Sequence, residues 1–232
     1  MNFIIDRTMP DVMVNNLEKI GNVYKSAVIN AVDEGIASHP DLQIHFLTQT
    51  MAICGKSVFD YYRSILPHNI ELYAGKTDIG DTYPQICAYN IARVGEFVIC
   101  NLKYAEKSII DFYKRQGKKI INVKQGYTKC NICPISDNTF ITEDMGIHNA
   151  VQNICGINSV ILNTGSVALK GFDYGFIGGA TGFVENKVLF CGSLSENPYK
   201  EEILLSINKC GAEYFELSND KLYDYGSIIS FG

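Results

Sequence analysis

Several features are missing from this sequence of 232 residues, and each absence removes a class of function. No window holds the roughly 20 consecutive apolar residues that a membrane-spanning helix needs. The amino-terminal MNFIIDRTMPD lacks the basic, apolar and small-residue order of a secretory leader. Both absences predict a cytoplasmic protein without a membrane partner, whose eight cysteines are mostly reduced thiols. A basic excess is missing too: the formal charge is -5, with Lys and Arg spread along the chain, so nucleic acid is not an expected partner. The densest basic run, KRQGKK at 114–119, suits the carboxyl end of a helix, where it complements the dipole.

The familiar cofactor and nucleophile motifs are absent as well. CNIC, with Cys130 and Cys133, has the spacing of half a zinc site, but no second CxxC or paired histidine completes it. GFIGGATG at 175–182 lacks the Lys-Ser/Thr ending of a phosphate loop and leads into a strand. It reads instead as a tight turn whose bare backbone packs near the centre of the fold or a ligand. No GxSxG elbow is present, and GSLSE at 192–196 reads as a helix lead-in. Neither a metal nor a cofactor is expected. Cys54, Cys100, Cys155 and Cys210 lie within or beside apolar runs and read as small core hydrophobes.

What the chain does contain is a repeat. Residues are 47% hydrophobic and 19% charged, enough for packed cores. The clearest unit has a strand at Phe97–Cys100, a helix from about Tyr104 to Gln116, a stop at Gly117, and strands at 119–123 and 128–132. The order recurs from Phe140, from Val188, from Gln43 (QIHFL, ahead of a helix near 57–66) and from Phe3. Five copies at spacings of about 40 to 55 residues predict repeated supersecondary units that share cores. The expected fold is α/β: one five-bladed α/β propeller domain of strand-helix-strand-strand repeats over residues 1–232. Closure removes exposed sheet edges, and SIISF at 227–231 would complete one blade with FII at 3–5.

The third strands carry a shared phrase. FDYGFI at 172–177, YDYGSI at 223–228 and VDEGIA at 32–37 place Asp173, Asp224 and Asp33 at one repeat position, while YTKCNI at 127–132 has Thr128 there. On innermost strands, alternate side chains would meet at the axis. Carboxylates converging there repel unless a cation or dense hydrogen bonding compensates them. The competing reading is local: Asp-x-Gly is a turn in which Asp bonds its own backbone. With these aspartates, Tyr174, Tyr225 and Asn131 are the expected ligand-binding residues.

Five such units resemble the α/β propeller of the guanidine-modifying enzymes, the pentein superfamily. ALKGFDYGFIGG at 168–179 is similar to the segment that carries the catalytic histidine in dimethylargininases, with Ala168 at the histidine's place. GYTKCN and GFDYGFIGGATG also resemble a small family of uncharacterised bacterial proteins. The resemblance implies a cysteine nucleophile on the last inner strand, a histidine from an earlier blade, and carboxylates that hold a guanidinium. YDYGSIISFG has no cysteine. Cys130 is therefore the candidate nucleophile and His148, the one histidine downstream of it, its candidate base. The expected ligand is a small cationic nitrogen compound. The alternative is a non-catalytic member of the fold that binds a cation or a protein partner.

Overall fold

The apolar runs become fifteen short strands and six helices. The computed structural model describes residues 1–232. In chain order, β1 (Asn2–Ile5), α1 (Asp11–Glu18) and β2 (Asn22–Lys25) begin the first sheet. The second has β3 (Ile44–Phe46), β4 (Met51–Cys54), α2 (Phe59–Ile65) and β5 (Glu71–Ala74). The third has β6 (Ala92–Val94), β7 (Phe97–Cys100), α3 (Lys107–Arg115) and β8 (Lys119–Asn122). A helical turn, α4 (Thr128–Asn131), leads to the fourth, with β9 (Ile132–Pro134), β10 (Thr139–Thr142), α5 (Met145–Val151) and β11 (Asn158–Ile161). The fifth has β12 (Thr181–Val184), β13 (Lys187–Phe190), α6 (Lys200–Lys209) and β14 (Glu213–Glu216). The last strand, β15 (Ile229–Phe231), returns to the first sheet.

Every sheet has the same order. A middle strand pairs antiparallel with an inner strand and parallel with an outer one. Parallel neighbours require a crossover, and the helix supplies it. β15 is the inner strand of the first sheet, with Phe3 opposite Ser230, so the two ends of the chain complete one blade as expected. No helix is long and apolar enough to cross a membrane.

Five apolar clusters close the ring, one between each pair of neighbouring sheets. Ile4 and Phe231 pack with Ile44 and Ala52, Leu47 and Ile53 with Ala88 and Val98, and Val94 and Ile99 with Ile132 and Phe140. Cys133 and Ile141 pack with Val188 and Phe190, and Leu189 and Cys191 return to Phe3 and Ile5. Each sheet thus covers the face that its neighbour leaves bare.

The structure corrects two features of the repeat. Gln43–Leu47 does not open a unit: it holds inner strand β3, and Met51–Cys54 leads into α2. In four blades the inner strand therefore hydrogen-bonds to the middle strand that follows it in the chain, and in the first blade the last strand, β15, pairs with β1. Second, the segments 32–37, 172–177 and 223–228 are turns ahead of the inner strands, and 128–131 is a helical turn. The local reading of Asp-x-Gly accounts for two of them. Asp33 Oδ1 accepts from Gly35 N and Asp224 Oδ1 from Gly226 N, both at 2.9 Å. Gly226 takes φ +64°, which an Asx turn accommodates and a strand does not.

Phe231 is fully buried one residue from the chain end and stacks on Phe46 at 4.5 Å between ring centroids. Chain ends normally tolerate truncation. Here Phe231→Ala is expected to cost about 3–5 kcal/mol in urea unfolding; a loss near that of an exposed substitution would contradict closure through β15.

Candidate functional site at the ring centre

The segments that lead into the five inner strands meet at the axis, and their polar groups satisfy one another. Asn90 stands two residues before β6, Cys130 two before β9, Gly179 two before β12 and Ser227 two before β15. His39 and Asp41 flank Pro40 just ahead of β3.

Asn90 positions the thiol. Its Oδ1 accepts from Lys129 N at 2.7 Å and Cys130 N at 3.3 Å, and its backbone oxygen accepts from Thr128 Oγ1 at 2.6 Å. These bonds hold the helical turn α4, whose free N–H groups need an acceptor. The same side chain donates through Nδ2 to Cys130 Sγ at 3.1 Å.

Cys130 Sγ in turn donates to Asp41 Oδ2 at 3.0 Å, which also lies 2.9 Å from Ser227 Oγ. Asp41 Oδ1 is buried without a hydrogen-bond partner. Ser227 Oγ lies 2.9 Å from Gly178 O and accepts from Lys129 Nζ at 3.1 Å. On the other side, Asp224 Oδ2 accepts from Phe176 N at 2.9 Å, and its Oδ1 lies 3.8 Å from His39 Nδ1. A side chain at Gly179 would collide with the Asp224 carboxylate, so glycine is required there.

Burial dominates the electrostatics. Cys130 is 3% exposed; burial, then the charges of Asp41 and Asp224, push its thiol well above the usual range. Asp41 is pushed up to about 6, chiefly by burial and further by Asp224, against the opposing pull of His39, the thiol and Lys129. Asp224 is also raised by burial, with His39 and two backbone N–H groups opposing. Near neutral pH the centre is thus a protonated thiol donating to a largely ionised carboxylate.

A cavity of about 250 Å³ opens onto this cluster. Cys130, His39 and Asp224 line it, with Tyr127, Phe172, Tyr174, Phe176 and Asp173 among the other wall residues. Of the residues singled out in the sequence, Cys130, Asp173, Tyr174 and Asp224 come together here. Asp33 is spent on its exposed turn. Tyr225 packs in the core between the fifth and first sheets, and Asn131 donates to Tyr127 O. His148 is not brought to Cys130: it sits on α5, bonded to Ser159 and Gln152, because α5 lies on the far side of β10 from the axis-lining β9. His39, Asp41, Asn90 and Ser227 escaped the sequence reading. Their signal was available as polar residues in or beside otherwise apolar stretches, HPDLQIHFL and ICAYNIA, where an unpaired polar group would be costly.

The sequence profile of a Family of unknown function (DUF6873) matches residues 4–229. A search of curated proteins finds no match. Among solved structures, dimethylarginine dimethylaminohydrolase from Pseudomonas aeruginosa, complexed with citrulline, superposes with TM-score 0.55 at 11% identity over 94% of this chain and 92% of that one. The amidinotransferase SxtG of Microseira wollei gives 0.54 at 10%, over 94% and 88%. Agmatine deiminase of C. jejuni gives 0.50 at 12%, over 94% and 78%. At such identities the likeness concerns the fold.

Stability should report the buried carboxylate. Asp41 has a folded pKa raised above its unfolded value, so its contribution is fully present below about pH 4 and is lost as pH rises through about 6. Asp41→Asn cannot ionise. Its stability relative to wild type is expected to improve by about 2–3 kcal/mol between pH 4.5 and 7.5, measured by urea unfolding. Parallel pH profiles would contradict the assignment.

Proposed function

The chain belongs to the family of unknown function DUF6873 and has the five-bladed α/β propeller fold of the pentein superfamily, and from this premise we propose that its central cavity binds a guanidino or related cationic nitrogen compound and modifies it at Cys130. The observation that carries this reading is the Cys130 thiol 3.0 Å from Asp41 Oδ2, in the wall of a cavity that also holds His39 and Asp224. The structural relatives include enzymes named for work on dimethylarginine and agmatine.

In this reading the aromatic mouth of Tyr127, Tyr174 and Phe176 receives a planar cation, and Asp224 and Asp173 hold its N–H groups. The bound positive charge opposes what keeps the thiol protonated, so Cys130 can pass its proton to Asp41 Oδ2 as its sulfur attacks the guanidinium carbon. The carbon–nitrogen bond to the leaving amine then breaks, and His39 supplies the proton that the amine takes. Water adds to the resulting thiouronium carbon with one proton returning to His39; the carbon–sulfur bond then breaks, the sulfur recovers its proton from Asp41, and the remaining hydroxyl proton leaves with the released amine as the urea forms. Asn90 is a positioning residue throughout.

A second reading rests on the same geometry. A thiol only 3% exposed and held protonated is a weak nucleophile, which suits a cavity that binds its cation without turnover.

Thermal shift and product assay separate the two, using arginine, agmatine and methylated arginines. Binding is expected to raise stability by about 2.7 kcal/mol at 100 times the dissociation constant, and the exposed-site variant Asp173→Asn is expected to reduce it. Release of ammonia or amine that Cys130→Ala abolishes supports catalysis. Binding without product in the wild type selects the second reading, and no stabilisation by any member of the panel contradicts both.

A further inference from the structure

A second and larger cavity, of about 640 Å³, opens where the inner strands β3, β6 and β15 line its wall, and its character is opposite to that of the first. Ligand sites commonly occupy cavities of about 300–1,000 Å³. Arg93 on β6 and Lys129 at the end of α4 both line it. Neither takes part in any of the five ion pairs of the molecule. Arg93 donates through Nε to Gly95 O at 3.3 Å and lies beside Tyr113, and Lys129 Nζ donates to Ser227 Oγ at 3.1 Å. Lys118, also in the wall, already pairs with Glu96 at 2.5 Å.

His45 lines the same cavity and feels both charges. It is buried on β3, with Nε2 2.8 Å from Tyr113 Oη and the two rings edge-on at 5.7 Å. Burial, then Arg93 and Lys129, push the imidazole down to about 3, so it stays neutral and adds hydrogen-bonding capacity without a third positive charge. Two acidic residues reach the wall. Asp41 Oδ2 is engaged by Cys130 and Ser227 while its Oδ1 has no partner, and Asp137 is exposed. The remaining wall mixes polar residues such as Thr48, Gln49 and Gln116 with an apolar part in which Phe46, Phe112, Phe183 and Ile229 are half-buried.

We propose that this second cavity is a binding site for a small carboxylate with an apolar or aromatic body, its carboxylate held by Arg93 and Lys129 and its body by the phenylalanine wall. Two cations outside any ion pair, Arg93 on β6 and Lys129 on α4, line one cavity and supply a bidentate fork and a point charge, which suits a carboxylate. The apolar wall gains from covering by a hydrophobic group and nothing from a compact inorganic anion. The site uses neither the thiol nor His39, but it adjoins the Cys130 cluster, because Asp41 reaches its wall and Lys129 bonds to Ser227, which bonds to Asp41.

Titration of ¹⁵N-labelled protein with sodium benzoate tests this, with inorganic phosphate and benzamidine as probes of charge alone and of the opposite charge. Benzoate is expected to shift the Arg93 Nε–H and the backbone amides of His45 and Lys129, and Arg93→Gln, at an exposed position, to weaken its binding by about tenfold, the loss of one charge-assisted bond. Lys129→Gln is expected to act in the same direction. Absence of these shifts, or unchanged affinity in both variants, would overturn the site. Equal binding of phosphate would overturn the apolar half of the assignment, and equal binding of benzamidine at these amides would overturn the anionic half.

Discussion

A sheet of three short strands with one helix against it still has a bare apolar face, and covering that face is the constraint from which this molecule follows. The chain satisfies it by setting each sheet against the next until the fifth meets the first. Ring closure then depends on β15 pairing with β1 and on Phe231 entering the cluster between the first and second sheets. No single unit contains a complete core, so stability is shared around the ring.

Closure has a chemical consequence. Five lead-in segments are forced to one small space, and each brings backbone and side-chain polar groups that water cannot reach. They pair with one another: Asn90 with the turn carrying Cys130, Cys130 with Asp41, Ser227 with Asp41 and Lys129, and Asp224 with the backbone of two segments. Low polarity keeps the thiol protonated and lifts both carboxylates. The carboxylates of Asp173 and Asp224 in the wall of the smaller cavity are the charges already present there. Asp41 and Lys129 of the same cluster also reach the larger cavity with Arg93 and His45.

The repeat was legible because helix stops and apolar strands recur with regular spacing; Gly117 and Gly211 follow α3 and α6 with positive φ, and Gly156, also at positive φ, lies in the turn between α5 and β11. Strand identity within a blade was less so. QIHFL and MAIC are equally apolar, and only hydrogen-bond partners, absent from a pattern of residues, say which is inner and which is middle. Cys130, Asp173, Tyr174 and Asp224 could be placed at the centre by their repeat position. His39, Asp41 and Asn90 could not, since they occupy lead-ins of different length without the Asp-x-Gly phrase. His148 drew attention through its proximity in sequence to Cys130, while the three-dimensional neighbour, His39, stands 91 residues earlier. Cys155, which reads as a core thiol, is exposed because α5 stops at Val151 and Cys155 falls in the surface turn that follows.

The central claim is that ring closure holds Cys130 as a protonated thiol on Asp41. Iodoacetamide labelling across pH, read residue by residue by mass spectrometry, tests it with exposed Cys155 as the internal reference. Cys155 is expected to react near neutral pH while Cys130 stays unmodified, and Asp41→Asn, by removing a charge that raises the thiol pKa, is expected to bring Cys130 labelling to lower pH. Labelling of wild-type Cys130 at the rate and with the pH profile of Cys155 would contradict the account.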